Sequence, residues 1–236
     1  MIPLFFMLAC VQYHTEDFLV GEIGLSYLVV AEDLEEATVY VRLLLDRSPY
    51  PRDMTLSEDD SLYIEHDGDS YILDEEDSSM LVIADVLYTK KIPYSDITKP
   101  FTLVFDRPSG QYKTDLYLAN DFSISVHNDE PFAFNSSEYM PVDIRWTPIV
   151  DASSVRAGLR DTDCAYYSDG LVENTGQTQI EIELYEPVVH IGLMDLFCTV
   201  NVYVSAHTVG YTTDFAESDI RGSQRRSSYI KVLYMP

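Results

Sequence analysis

The sequence predicts an all-β chain built from two tandem β-sandwich domains. Three observations support this class: the residue composition, a period-2 alternation of apolar and polar side chains, and a turn-rich break near the middle of the chain. The 236 residues include 18 Tyr and 10 Phe, and aromatic and β-branched residues suit a pleated, half-buried surface. A hydrophobic fraction of 46% is sufficient for a core, so we expect the chain to fold rather than remain disordered.

The clearest local pattern covers residues 101–126. Apolar side chains recur at every second position over 101–105, which is typical of a strand with one buried face. The sequence RPSG at 107–110 predicts a turn, because proline fixes φ at the second position and glycine suits the fourth. Alternation resumes over 111–118 and again over 122–126. We therefore predict a hairpin with a four-residue connection, followed by a third strand.

The same alternation predicts further strands along the chain. A turn at Asp67-Gly68 joins two of them into a hairpin. In the second half the only Trp, Trp146, alternates with polar neighbours and is expected to point inward. The predicted strands outside 101–126 cover 25–30, 37–45, 62–64, 71–73, 80–87, 88–92, 142–147, 155–159, 179–184, 197–204 and 228–234.

The domain boundary is placed in the turn-rich segment 126–141. Residues 1–20 are interpreted as a signal or anchor, or else as an N-terminal strand. Residues 21–126 form the first predicted sandwich and 127–236 the second, which would contain a disulfide. Residues 188–196 are irregular and are expected to contain at most one helical turn.

Two alternatives stay open for the three cysteines. The apolar run at residues 1–10 ends in Leu-Ala-Cys, which resembles the end of a bacterial lipoprotein signal with Cys10 as the lipidated residue; the alternative is a buried N-terminal strand. Cys164 and Cys198 remain as a pair. In an oxidising compartment they would form a disulfide, whereas in a cytoplasmic protein they would be two buried free thiols.

The charge balance excludes one class of partner. The chain has 40 acidic and 15 basic residues, for a formal net charge of -25. Such a surface repels nucleic acid, because binding to phosphates requires Lys and Arg. The one locally basic stretch contains Arg221, Arg225 and Arg226, and we expect these arginines to pair with carboxylates of the chain itself.

The acidic residues give only weak candidates for a Ca²⁺ site. Asp67, Asp69, Asp74 and Glu76 lie close together in the most acidic region, but the spacing lacks the glycine and the final Glu of an EF-hand loop. The five histidines are dispersed without metal-ligand spacing, and no nucleophile elbow or phosphate-binding loop occurs. We therefore predict that the protein is not an enzyme and needs no cofactor or metal.

Several of these stretches together resemble a group of uncharacterised bacterial predicted lipoproteins with two immunoglobulin-like sandwich domains. In that group the first domain ends in a Phe-rich hairpin with an Arg-Pro-x-Gly turn, and the second opens near a Val-x-Ile-x-Trp stretch and carries two cysteines. The matching residues here are 101–118, 122–124, 141–146, Cys164 and Cys198. The resemblance implies two tandem immunoglobulin-like β-sandwich domains and no established activity.

These observations predict a non-enzymatic, exported and lipid-anchored protein of the cell envelope that acts as a binding or interaction module. It would be an outer-membrane lipoprotein, or be periplasmic or secreted, and would contact a membrane only through its lipid. Its partner is expected to be a protein or a glycan. The alternative is a structural subunit of a surface assembly, such as a pilus or virion component, joined through edge strands or the apolar N-terminus.

Overall fold

A computed structural model describes residues 13–32, 35–45, 52–77, 86–126, 132–135, 140–160, 165–183 and 197–235. For residues 77, 132–135, 140, 197–198 and 233–235 it describes the backbone alone. The predictions for Cys10, Cys164, strand 80–85 and segment 188–196 lie outside the described residues.

The described residues form β-strands and two single-turn 3₁₀ helices, Thr15–Asp17 and Val20–Glu22. This confirms the all-β class. In chain order the strands are β1 Tyr13–His14, β2 Ile23–Ala31, β3 Glu36–Leu45, β4 Arg52–Thr55, β5 Ser61–His66, β6 Asp69–Ile72, β7 Asp74–Asp77, β8 Val86–Pro93, β9 Phe101–Arg107, β10 Gly110–Leu116, β11 Ser123–Val126, β12 Phe132–Asn135, β13 Met140–Thr147, β14 Ser154–Arg160, β15 Ser168–Val172, β16 Gln177–Ile182, β17 Phe197–Val209 and β18 Ser218–Met235.

The strands are arranged in three sheets. The large sheet has 11 strands, with the central order β1-β4-β3-β2-β18-β17-β14-β15; β8 also pairs with β3, β7 with β8, and β12 with β18. The two smaller sheets have the orders β10-β9-β5-β6 and β11-β13-β16. Because β2 pairs in parallel with β18, the large sheet joins the two ends of the chain.

Both small sheets cover the same face of the large sheet. Ile220 of β18 pairs with Tyr27 of β2, and Ile230 of the same strand pairs with Val200 of β17. Paired residues share a face, and so do positions an even number apart on one strand. Ile220 belongs to the hydrophobic cluster beneath the four-stranded sheet, and Ile230 to the cluster beneath the three-stranded sheet. The large sheet therefore has one covered face and one outer face.

The two hydrophobic clusters make the packing sandwich-like. In the first, β2 and β3 pack against β5 and β9, and the buried Tyr27 hydroxyl donates to the Phe101 carbonyl at 2.9 Å. In the second, β14 and β17 pack against β13, with Trp146 inside as predicted. The division into domains 21–126 and 127–236 stays a prediction, since the clusters are separate while the large sheet runs through both halves.

The two predicted hairpins are confirmed with small shifts. β9 and β10 pair from Phe101–Leu116 up to Arg107–Gly110, so only Pro108 and Ser109 lie between the strands rather than four residues. β5 and β6 pair up to His66–Asp69. Their turn places Asp67 at φ 52° and Gly68 at φ 90°, the two positive values that define a type I′ hairpin turn.

Other elements differ from the predictions. The segment interpreted as a linker contains β12, which pairs in parallel with the end of β18. β4, β7 and β15 were not predicted, and β18 begins at Ser218 rather than at residue 228. These strands are short, or polar along much of their length, and they form because a neighbouring strand pairs with them rather than because of their own residue preferences.

Arg107, at the turn of the first hairpin, fixes the N-terminal end of the described chain. Its side chain and that of Asp60 are 9% and 2% exposed, and Nε lies 3.3 Å from the Asp60 carboxylate. Its other nitrogens donate to the carbonyls of Phe18 at 2.9 Å and Thr15 at 2.7 Å. The Thr15 hydroxyl in turn donates to Asp60. Every charge in this centre is therefore compensated by hydrogen bonds.

Candidate binding face on the large sheet

The outer face of the large sheet lies opposite the two clusters. Successive residues of a strand point to opposite faces of its sheet. The second cluster contains odd-numbered residues of β14 and even-numbered residues of β17 and β18. The outer face therefore carries the even-numbered residues of β14 and the odd-numbered residues of β17 and β18. On these three strands the charged residues of this face are Arg156, Arg160, Arg221, Arg225, Lys231 and Asp219. Basic groups thus outnumber acidic ones here, in a chain whose overall charge is -25.

Arg156 and Asp169 form the first contact pair on this face. Arg156 Nε lies 3.0 Å from both Asp169 oxygens, and its terminal nitrogen donates to Oδ2 at 2.6 Å. The Tyr203 hydroxyl donates to Oδ1 at 2.7 Å. The bond from Arg156 holds the pKa of the Asp169 carboxyl below its ordinary value, against the raising effect of burial. Burial and then the bond to Asp169 raise the pKa of Tyr203.

Tyr203 connects this pair to a second one. The Arg225 guanidinium lies over the Tyr203 ring, 5.0 Å from its centroid, a favourable cation–π distance. Arg225 donates to Glu32 Oε1 at 2.8 Å, and Arg160 donates to the same oxygen at 2.7 Å. We call the connected set Arg160, Glu32, Arg225, Tyr203, Asp169 and Arg156 the arginine–tyrosine network.

His207 and two serines lie beside the network. The Ser205 and Ser223 hydroxyls are 3.0 Å apart and buried. His207 Nε2 is buried and has no hydrogen-bond partner in the described part of the chain. Burial, and next the charges of Arg156 and Arg225, lower the pKa of His207. Burial and the neighbouring arginines therefore favour the neutral form of the ring.

Exposed apolar side chains surround these charges. Tyr229 on β18 and Leu171 on β15 belong to the outer face, as their pairing with Asn201 and Arg156 shows; they are 68% and 69% exposed. Tyr167 is equally exposed and contacts the Tyr203 hydroxyl. Arginines held in place beside exposed tyrosines are the combination that protein interfaces favour over the rest of a surface.

The weak Ca²⁺ candidates belong to two different sheets: Asp67 and Asp69 lie at the β5–β6 turn of the four-stranded sheet, and Asp74 and Glu76 lie on β7 of the large sheet. Asp67 bonds to Lys99 and to Ser95, whereas Asp74 bonds to Lys90 at 2.8 Å. The Lys99 contact lowers the pKa of Asp67. Across the described residues no group of three or more His, Cys, Asp or Glu side chains is arranged to hold a metal ion. The β5–β6 turn borders an open groove of ≈ 630 Å³.

The expected self-pairing of the basic stretch is confirmed. Arg221 bonds to Asp219 at 2.6 Å, Arg225 to Glu32, and Arg226 to Asp121 at 2.9 Å. Arg226 has the opposite parity to Arg225, so it points to the covered face, where its guanidinium lies over Phe122.

Arg156 and Tyr203 were not identified from the sequence, and only their outward parity on predicted strands could have indicated them. The predicted disulfide lies outside the described residues, which include neither Cys164 nor the Cys198 side chain.

Comparisons with known proteins add little to this geometry. No protein-family model and no curated protein matches the sequence. Among solved structures, the full ectodomain of mouse nectin-like molecule 4, domains Ig1–Ig3, aligns with 90% of this chain and 64% of its own length, with 8% identity and a TM-score of 0.26. The chain thus spans less than two thirds of that ectodomain, and a TM-score this low carries no argument. In the described part, no helix has the length and hydrophobicity to cross a membrane.

Proposed function

We propose that this chain is a non-enzymatic binding module of the cell envelope that uses the outer face of β14, β15, β17 and β18 to hold a protein or glycan partner. The observation that carries the proposal is the arginine–tyrosine network surrounded by exposed Tyr167, Leu171 and Tyr229. A network that already fixes its arginines loses little side-chain entropy when a partner binds.

Binding is favoured over catalysis by the state of the carboxylates. Glu32 and Asp169 both accept bonds from arginines, and those bonds lower the pKa of each carboxyl. A carboxylate with a lowered pKa is a weaker general base near neutral pH. The exposed tyrosines, by contrast, offer large contact area with few rotatable bonds.

Position-specific crosslinking tests the binding face. A photoreactive phenylalanine analogue replaces Tyr229 in one variant and, as a control, Tyr211 in another; Tyr211 is 80% exposed and lies outside the network. Irradiation in native envelopes should give a defined crosslinked product from position 229 and none from position 211. Equal products from both positions, or none from either, would refute this face. Crosslinks between copies of the chain would favour the alternative, a structural subunit of a surface assembly.

Export and anchoring form a separate part of the proposal. We propose lipidation at Cys10 and a disulfide between Cys164 and Cys198, supported by the Leu-Ala-Cys sequence and the isolated pair of later cysteines. Intact mass of protein from the native envelope, measured with and without reduction, tests both modifications. A chain that retains its first residues and has three free thiols would contradict them.

A further inference from the structure

Glu32 fills a position that a carboxylate from another molecule could occupy. It follows the last residue of β2 and is bound on the outer face by Arg160 and Arg225, 128 and 193 residues away in sequence. The Glu32 side chain is 53% exposed, whereas those of Arg160 and Arg225 are 36% and 27% exposed. The arginines are thus the more enclosed part of the site, and the carboxylate is the part nearest to solvent.

Glu32 does not use all the hydrogen-bonding capacity of Arg225. Both arginines donate to the same oxygen, Oε1. Each arginine gives Glu32 one bond, from Nη1. A guanidinium binds a carboxylate best with two parallel N–H···O bonds. A carboxylate that met both terminal nitrogens of Arg225, after Glu32 withdrew, would make a two-bond contact in place of the single bond to Glu32.

The guanidinium is held ready for such a ligand. The Tyr203 ring lies beneath Arg225, and the Tyr203 hydroxyl is fixed by Asp169, which Arg156 holds through both oxygens. This support is independent of Glu32. Removing Glu32 therefore leaves Arg225 stacked and oriented.

We infer that Glu32 is an internal competitor for an acidic peptide segment of a protein partner, whose Asp or Glu carboxylate binds between Arg160 and Arg225 while neighbouring apolar side chains contact Tyr229. This inference rests on the proposed function, because it assigns a chemistry to the same face. A short acidic segment suits the site better than a long polyanion, since the net charge of -25 repels an extended chain of phosphates or sulfates.

Internal competition sets the expected size of the effect. A ligand binds only the fraction of molecules in which Glu32 has left the arginines, so its apparent affinity falls by that fraction. Glu32→Gln removes the competing charge and retains the shape of the side chain. We expect affinity for an acidic peptide to rise about threefold to tenfold. That range corresponds to Glu32 being bound to the arginines in roughly two thirds to nine tenths of the molecules.

The test measures fluorescence polarisation with a fluorescein-labelled peptide, Gly-Tyr-Glu-Glu-Tyr-Gly, against its analogue with Gln in place of Glu. Glu32→Gln should bind the acidic peptide about threefold to tenfold more tightly than the unsubstituted chain, and Arg225→Gln should abolish binding in both backgrounds. The matched control is Glu65→Gln, which opens the exposed Lys113–Glu65 pair on the four-stranded sheet and should leave the affinity unchanged. Circular dichroism verifies that each variant is folded.

Two results would overturn the inference. One is equal binding, or no binding, of the acidic peptide to the unsubstituted chain and to Glu32→Gln. The other is displacement of the peptide by inorganic phosphate at the same concentration as free glutamate, which would indicate a general anion site. If crosslinking at position 229 still succeeds while the peptide fails, the binding face stands and the acidic-peptide assignment alone is wrong.

Discussion

Arg107 and Arg225 have similar surroundings and different uses. Each guanidinium lies over an aromatic ring, Phe105 at 5.3 Å and Tyr203 at 5.0 Å, and each binds a carboxylate. The Arg107 side chain is 9% exposed and donates to Asp60 and to two backbone carbonyls. That of Arg225 is 27% exposed, and Glu32, which accepts a single bond from it, is 53% exposed. A fully compensated buried centre holds a fold together, whereas an exposed ion pair can open to admit a ligand.

The largest expected effect follows from breaking the buried centre. Arg107→Met leaves the Asp60 carboxylate buried without its cation and removes the donors of two carbonyls, so we expect a loss of about 3–5 kcal/mol in unfolding free energy. Urea denaturation measures the change. The matched control, Lys113→Met, breaks the exposed pair with Glu65 and should cost about 0.2–1 kcal/mol.

A second substitution separates the loss of charge from the loss of contacts. Adding Asp60→Asn to Arg107→Met removes the unpaired charge, and the double variant should regain part of the lost stability. If Arg107→Met cost no more than Lys113→Met, the contrast between the buried and the accessible arginine would be refuted.

The next largest expected effect is on the packing of β15 against β14, which holds Asp169 beside Arg156 in the arginine–tyrosine network. Gly158 of β14 pairs with Asp169 of β15, and a Cβ at Gly158 would overlap the Ser168 carbonyl. Gly158→Ala therefore forces β15 away from β14 and displaces Asp169 from Arg156; we expect a loss of about 1–3 kcal/mol from overpacking. Gly170→Ala is the control, because a Cβ there meets nothing within 4 Å. Equal stability of the two variants in thermal denaturation would contradict this packing argument.

The fold was more predictable than the site because strands carry a local signal. Alternation over residues 101–105 is visible in any short window, and the Asp67-Gly68 pair specifies its own turn. The first half of β18 has no such signal. Its sequence is largely polar, and it forms a strand because β2 and β17 pair with its two edges.

The binding face depends on contacts that no local pattern encodes. Glu32 and Arg225 are 193 residues apart, and the sequence offers 40 carboxylates as partners for 15 cations. Self-pairing of the basic stretch could be predicted from that excess alone. Which carboxylate meets which arginine depends on the parallel pairing of β2 with β18, a long-range contact between the two ends of the chain.

The smallest expected effect is a pH dependence at His207, beside the accessible centre. Burial and the charges of Arg156, Arg225 and Arg221 lower its folded-state pKa, with Asp169 opposing them. As pH falls below the ordinary value of 6.5, the unfolded chain takes up a proton that the folded chain does not, so stability decreases until the folded pKa is reached. His207→Gln should therefore lose less stability than the unsubstituted chain between pH 7.5 and pH 5.5, a window above the ordinary carboxyl range. Urea denaturation at the two pH values measures the difference, and an equal loss in both proteins would show that folding does not lower the pKa of His207.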